Sequence, residues 1–165
     1  MNISWMRLRI SQFAELLSLV ILAAAMFCPS AGWAGPSSGA FMAPLVVTND
    51  RGGSVKDRIE LFKSLQSSGQ PVEIRGSCYS SCTMYLGLDN VCVASNAKLA
   101  FHGPSYLDHE MPQERFDHWT RLMAGYYPPA IARWFMSEAR YVRGDENFLS
   151  IRGKNLIEHG IQACM

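Results

Sequence analysis

The chain has 165 residues, with 15 lysines and arginines against 14 aspartates and glutamates and a formal net charge of +1 at pH 7. Its basic residues are scattered among acidic ones, so they form neither a phosphate-tracking stripe nor a polybasic membrane patch. This composition argues against a nucleic-acid partner.

The first 34 residues have the order of a secretory signal peptide. Arg7 and Arg9 precede an apolar run at 16–28, which is followed by small residues. That run of about 13 residues is shorter than the ~20 that a membrane-spanning helix needs. We therefore expect cleavage after Ala34 and a periplasmic or secreted protein without stable membrane insertion. A permanent membrane anchor is the less favoured alternative.

The chain after this leader is long enough for one folded domain. Residues 35–43 are predicted to be a linker containing glycine and serine, and residues 44–165 a single domain. A domain of about this size buries roughly two thirds of the surface of its unfolded chain.

Four cysteines remain after cleavage: Cys78, Cys82, Cys92 and Cys164. An even number in an exported chain predicts two disulfides, and three pairings are open. We favour Cys82 with Cys92 and Cys78 with Cys164, because a bond from Cys78 to Cys82 would close a loop too short to remove much chain entropy. Zinc binding is the alternative, although no paired C-x-x-C motif is present.

A strand, a glycine turn and a helix are predicted first. Leu45 to Thr48 is a short β-branched run that ends before a pair of glycines. Ser54 and Asp57 then form a capping-box signature, and apolar residues continue on one helix face to a stop at Gly69.

The same pattern of strand, turn and helix then recurs. Pro71 to Arg75 is predicted to be a strand, Gly76 to Tyr79 a turn and Ser80 to Leu88 a short helix. Two further strands are expected at Val91 to Ala94 and Lys98 to His102. Three helices are predicted after them: Gln113 to Ala124, Pro129 to Arg140 and Phe148 to His159. Strands that alternate with helices indicate an α/β domain with a mainly parallel sheet.

Three short segments are candidates for chemistry, and each has a structural alternative. Gly52 and Gly53 precede a helix, whose N-terminal N–H groups favour an anion, although a plain tight turn also uses such glycines. Ser80 and Ser81 lie at a strand-to-helix corner, where a serine hydroxyl is either a nucleophile or a helix cap. His102 ends a strand, and a lone histidine there is more often structural than catalytic.

The motifs around these segments resemble a known family. They are DRGGSV, EIRGSCYSSCT and VCVASNAKLAFHGPS, between Val46 and Ser105. Together they resemble the Clp protease proteolytic subunit within the ClpP/crotonase superfamily, and in particular exported ClpP-like proteins of bacteria. The resemblance implies an α/β spiral of repeated strand-turn-helix units with a mainly parallel sheet, abbreviated at the N-terminus. We expect no cofactor and no metal.

The resemblance also implies a role for each site residue. Ser80 would be the nucleophile and His102 its general base, while the backbone N–H groups of Gly53 and Ser81 would hold the oxyanion. In the family an aspartate follows the histidine by several dozen residues, before an F-L-S stretch. Asp145 lies in that position here. It or the glutamate after it would orient the histidine, and a solvated acid at a helix N-terminus is the alternative.

Two functional hypotheses follow. The first is an exported serine hydrolase, in particular a peptidase acting on a peptide or protein substrate. The second is a non-catalytic ClpP-like binding or scaffold domain of the periplasm, in which the serine only caps a helix. Because relatives form rings or trimers, the aromatic-rich segment Gln113 to Arg140 is a candidate surface for a homo-oligomer, with core packing as the alternative.

Overall fold

The computed structural model describes residues 42–106, 110–143 and 147–165. Five strands lie in this part of the chain: β1 (Leu45–Asp50), β2 (Val72–Tyr79), β3 (Val91–Val93), β4 (Lys98–Phe101) and β5 (Leu149–Arg152). Its helices are α1 (Val55–Ser68), α2 (Gln113–Ala124), α3 (Pro129–Ser137) and α4 (Gly153–Glu158), with 3₁₀ helices at Ser80–Gly87 and Ala139–Tyr141. None of these helices is long and apolar enough to cross a membrane. The predicted signal peptide, 1–34, and most of the linker, 35–43, lie outside the described residues.

The strands form one mixed, mostly parallel sheet with the order β1-β2-β4-β5. β1, β3 and β4 each pair with β2 in parallel, whereas β5 pairs with β4 in an antiparallel direction. β3 pairs with the first residues of β2, from Val72, and β4 pairs with the last three, up to Tyr79. The predicted α/β class with a mainly parallel sheet is therefore confirmed.

Helix α1 begins and ends where its capping residues predict. The Ser54 side chain accepts a hydrogen bond from the Asp57 N–H at 3.3 Å, and Gly69 ends the helix with a left-handed φ of 69°. Phe62 and Leu65, on its inner face, are buried in the main hydrophobic core. This packing anchors the helix that directly follows the glycine pair.

The turn predicted at Gly76 to Tyr79 is wrong, because β2 continues to Tyr79. Near Gly76, one residue of β1, Thr48, lies opposite two residues of β2, Arg75 and Gly76, which is the signature of a β-bulge. A Cβ atom on Gly76 would lie 2.0 Å from the carbonyl oxygen of Thr48 on β1. The glycine therefore allows the two strands to approach each other at the bulge and does not end the strand.

The helix predicted at Phe148 to His159 is wrong in its first part. Leu149–Arg152 forms β5, and only Gly153–Glu158 is helical. Leu149 and Ile151 alternate with exposed residues and pair with β4, and a short apolar run of this kind does not distinguish a strand from a helix by itself. Helix α3 also ends earlier than predicted, at Ser137, and a separate 3₁₀ turn follows it.

Both predicted disulfides are present, but the favoured pairing is wrong. Cys78 is bonded to Cys82 and Cys92 to Cys164, with Cα atoms 5.4 Å and 4.9 Å apart. The Cys164 N–H donates to the carbonyl of Val93, so the C-terminal segment lies beside β3 and brings Cys164 to Cys92. Proximity in the fold decided the pairing, and the entropy of the closed loop did not. Two disulfides are consistent with an oxidising compartment.

Candidate active site

Three chain segments meet at one edge of the sheet. β1, β2 and β4 are adjacent and parallel, so their carboxyl ends share this edge. Gly52 and Gly53 follow β1, Ser80 follows β2 and His102 follows β4. Neighbouring strands are only ~4.8 Å apart, and β4 pairs with the last residues of β2. The predicted nucleophile and the predicted base therefore follow the ends of paired strands, next to the glycine pair.

Gly52 packs directly against Ser80. A Cβ atom on Gly52 would lie 2.7 Å from the Cβ of Ser80 and 2.7 Å from the carbonyl oxygen of Tyr79. Gly52 and Gly53 also have φ angles of 91° and 125°, in a region that residues with a side chain rarely adopt. Position 52 therefore requires glycine both for its backbone conformation and for its contact with the serine.

Ser80 has a backbone conformation that is unusual for a serine. Among the residues that the structure describes, it is the one non-glycine residue with a positive φ, at 56°. This region costs an L-residue about 1–2 kcal/mol, and such strain concentrates at functional sites. Ser80 is partly exposed and begins a 3₁₀ helix whose N-terminus has no side-chain cap. The alternative that a serine caps this helix therefore has no hydrogen bond to support it.

A buried chain of hydroxyl groups holds the carbonyl of Ser80. The Thr83 hydroxyl donates to this carbonyl at 2.7 Å and lies 2.8 Å from the Tyr127 hydroxyl, which then donates to Thr83. Burial raises the pKa of Tyr127 by more than the Thr83 hydrogen bond lowers it, so the phenol remains protonated and can act as a donor. These bonds fix the strand-to-helix corner from its buried side.

Gly53 and Ser81 contact each other across the same corner. The Ser81 Oγ donates a hydrogen bond to the Gly53 carbonyl at 3.2 Å. Ser81 lies in the first turn of its helix, where backbone N–H groups have no intrahelical partner. An N–H in this position is able to bind a developing negative charge beside Ser80.

Arg58, on helix α1, contacts the loop that contains Gly52 and Gly53, called here the glycine loop. Its buried guanidinium forms an ion pair with Asp50 at 2.8 Å and donates to the Tyr85 hydroxyl and, at 3.5 Å, to the Gly52 carbonyl. Asp50 in turn accepts the Gly52 N–H at 2.8 Å. Because C=O and the following N–H point in opposite directions in a trans peptide, this contact turns the Gly53 N–H away from Arg58. Burial raises the pKa of Tyr85 despite the neighbouring guanidinium.

His102 is 8% exposed and packs against Phe148. The two ring centroids are 4.9 Å apart and the rings are nearly perpendicular, at 87°. The Phe148 ring also lies 5.5 Å from the ring of Tyr79, which precedes Ser80, and Lys98 Nζ lies 5.7 Å from the Tyr79 ring centroid. This aromatic contact links the two strand ends and restricts the orientation of the imidazole.

The predicted third member of the triad, Asp145, lies outside the described residues, as does Glu146. The chain is described again from Asn147, and Phe148 contacts His102 as it enters β5. The role of Asp145 in orienting the imidazole therefore stays a prediction.

Three residues around the site were not identified from the sequence: Asp50, Arg58 and Phe148. Arg58 lies on the same helix face as Phe62 and Leu65, so a charged residue within an apolar stripe was an available signal. An aspartate two residues before a glycine is typical of an Asx turn, which was a signal for Asp50. Phe148 had no such signal, because its contacts depend on the pairing of β5 with β4.

No protein-family model matches the chain, and no curated protein matches it. Within residues 42–106, 110–143 and 147–165, no three histidine, cysteine, aspartate or glutamate side chains are grouped so that they could hold a metal ion. A functional assignment therefore depends on the geometry of the site itself.

Proposed function

We propose that the chain is an exported serine hydrolase, with a ClpP/crotonase-like fold, that cleaves peptide or ester bonds. The observation that carries this proposal is the set of three adjacent parallel strand ends that bear the glycine pair, Ser80 and His102. The positive φ of Ser80, beside two glycines, adds support. Such a strained backbone is not needed to pack a hydrophobic core, and it concentrates at functional sites.

In the proposed reaction, the Ser80 Oγ attacks the carbonyl carbon of the substrate and transfers its proton to the imidazole of His102. The carbonyl electron pair moves to oxygen, and the N–H groups of Gly53 and Ser81 stabilise the resulting oxyanion. When the oxyanion collapses, the leaving group departs with the proton from His102. A water molecule then attacks the acyl carbon and gives a proton to His102, and when the second oxyanion collapses the acyl–serine bond breaks and His102 returns this proton to the Ser80 Oγ.

Contacts around the glycine loop support a preorganised oxyanion site. Arg58 donates to the carbonyl of Gly52, whose peptide group carries the Gly53 N–H, and Thr83 donates to the carbonyl of Ser80, whose peptide group carries the Ser81 N–H. Both peptide groups are thus oriented before a substrate arrives, which is the condition under which such donors stabilise a transition state effectively.

The two disulfides support the periplasm or the extracellular medium as the place of action, since disulfides persist in oxidising compartments. A peptide or protein substrate fits that location. The acyl-CoA ligands of crotonase relatives do not fit it.

A fluorophosphonate probe, which reacts with activated serines, tests this proposal on the exported chain. We expect the wild-type protein to be labelled and Ser80→Ala to remain unlabelled. His102→Ala should react about 10³-fold more slowly or worse, because the serine loses its base. Ser81→Ala keeps the backbone N–H proposed to hold the oxyanion and loses only the bond from its hydroxyl to the Gly53 carbonyl, so it should keep most of the labelling. Ser67→Ala, at an exposed serine in the last turn of helix α1, is the control and should be labelled like the wild type.

Melting temperatures of the same variants separate catalysis from folding. A serine that only caps a helix would cost about 1 kcal/mol of stability on replacement without any effect on turnover. The Ser80→Ala/His102→Ala double variant should hydrolyse a susceptible ester scarcely more slowly than either single variant, because the two residues act as one unit. A folded wild-type protein that is not labelled would contradict the proposal and favour the binding domain, whereas a labelled Ser80→Ala would rule out Ser80 as the nucleophile.

A further inference from the structure

Ser80 is enclosed by the shorter of the two disulfides. Cys78 and Cys82 are bonded across it, four positions apart, and both are fully buried. The other disulfide joins Cys92 of β3 to Cys164, and these two cysteines are partly exposed. We propose that the Cys78–Cys82 disulfide positions Ser80 for attack, so that hydrolysis requires this bond to be formed. The inference rests on the function proposed above.

The backbone at Ser80 shows why a restraint is needed. Its φ of 56° lies in a region that persists in L-residues only where the surroundings enforce it. β2 ends at Tyr79 and the 3₁₀ helix begins at Ser80, so no loop residue relieves the change of direction. Four residue steps of extended chain would span about 13–14 Å. The disulfide holds the Cα atoms of Cys78 and Cys82 at 5.4 Å and thereby keeps the chain in its tight reversal.

The other contacts of the corner depend on where the helix begins. Thr83, which donates to the Ser80 carbonyl, and Ser81, which donates to the Gly53 carbonyl, belong to this same helix. Their hydroxyls reach these two carbonyls only while the helix keeps its position relative to β2. The disulfide joins the strand to the helix directly, so opening it would allow the helix and both hydroxyls to shift together.

Reduction provides a way to open the bond without changing the sequence. A dithiol such as dithiothreitol transfers two electrons to a disulfide: the S–S bond breaks, each protein sulfur gains a proton, and the dithiol becomes a cyclic disulfide. The partly exposed pair, Cys92 and Cys164, should be reduced before the buried pair, Cys78 and Cys82. Loss of activity should accompany the second reduction and not the first.

Two matched double variants of the exported chain separate the two bonds. Cys78→Ala/Cys82→Ala lacks only the bond around the serine, and Cys92→Ala/Cys164→Ala lacks only the other. We expect the first to react with the fluorophosphonate about 10²-fold more slowly, the loss that a 1 Å displacement of a reacting group causes. Its kcat for an ester should fall while KM changes little. The second should react at the wild-type rate although its melting temperature falls further.

A second measurement tests the inference even if the Cys78→Ala/Cys82→Ala variant does not fold. In the Cys92→Ala/Cys164→Ala variant only the bond around the serine remains, so reduction should slow labelling and reoxidation should restore it. Circular dichroism checks that the reduced protein is folded at the assay temperature. The inference would be overturned if labelling were unchanged after the Cys78–Cys82 disulfide is opened. It would also be overturned if labelling fell only when the protein unfolds. A folded, oxidised wild-type protein that is not labelled would overturn the proposed function and the inference with it.

Discussion

The two disulfides should stabilise the fold by different amounts, because they close loops of different length. The Cys78–Cys82 bond spans four positions and the Cys92–Cys164 bond spans 72. The entropy that each closure removes from the unfolded chain corresponds to about 2 kcal/mol for the short loop and about 4.4 kcal/mol for the long one. With an unfolding entropy of ~2.1 cal/mol/K per residue and about 120 folded residues, reduction should lower the melting temperature by about 8 °C and about 17 °C respectively.

Single-disulfide variants measure these two effects separately. In Cys78→Ala/Cys82→Ala, reductant opens only the long loop, and in Cys92→Ala/Cys164→Ala it opens only the short one. Comparing the oxidised and reduced forms of one variant keeps the side-chain volume nearly constant, so the cavities left by alanine cancel. Thermal melting followed by circular dichroism gives the shifts. Equal shifts, or a larger shift for the short loop, would refute loop closure as the source of the stabilisation.

Two further predictions concern the packing of Gly52 against Ser80 and the buried hydroxyl of Tyr127. Gly52→Ala should abolish labelling and cost about 2 kcal/mol or more, because its Cβ would meet Ser80 and Tyr79 at 2.7 Å at a positive φ. Gly69 also has a positive φ, but an added Cβ would meet open space, so Gly69→Ala should lose about 1 kcal/mol of stability and keep its labelling. Equal effects of the two substitutions on labelling would contradict this account. Burial raises the pKa of Tyr127 in the folded protein. Above pH ~10 the unfolded chain therefore loses the proton of this phenol while the folded protein keeps it. The free energy of unfolding then falls as the pH rises, by up to about 1.4 kcal/mol per pH unit. Urea unfolding at pH 9 and pH 11 should show a smaller fall for Tyr127→Phe than for the wild type, and parallel falls would rule out this tyrosine as a source.

Local signals predicted the parts of the fold that depend on neighbouring residues. The bounds of α1 follow from Ser54 and Gly69, because a cap acts within one turn of the chain. Gly76 was mistaken for a turn because a glycine in a bulge has the same local signature, and only the approach of Thr48 from β1 distinguishes the two. β5 was mistaken for helix because its alternation is short and is stabilised by pairing with β4.

The amino-acid sequence by itself determined which chemistry-bearing residues this protein has and in which order they occur. It also determined the alternation of strands and helices that gives a mainly parallel sheet, because periodicity and capping are encoded within single elements. Only the tertiary structure decided which strands are neighbours, and hence that the segments after β1, β2 and β4 share one edge. It also decided that Cys78 pairs with Cys82, and that Arg58 reaches Asp50 and the Gly52 carbonyl. Each of these contacts joins residues of different elements, and whether two such residues meet depends on how those elements pack in the whole fold.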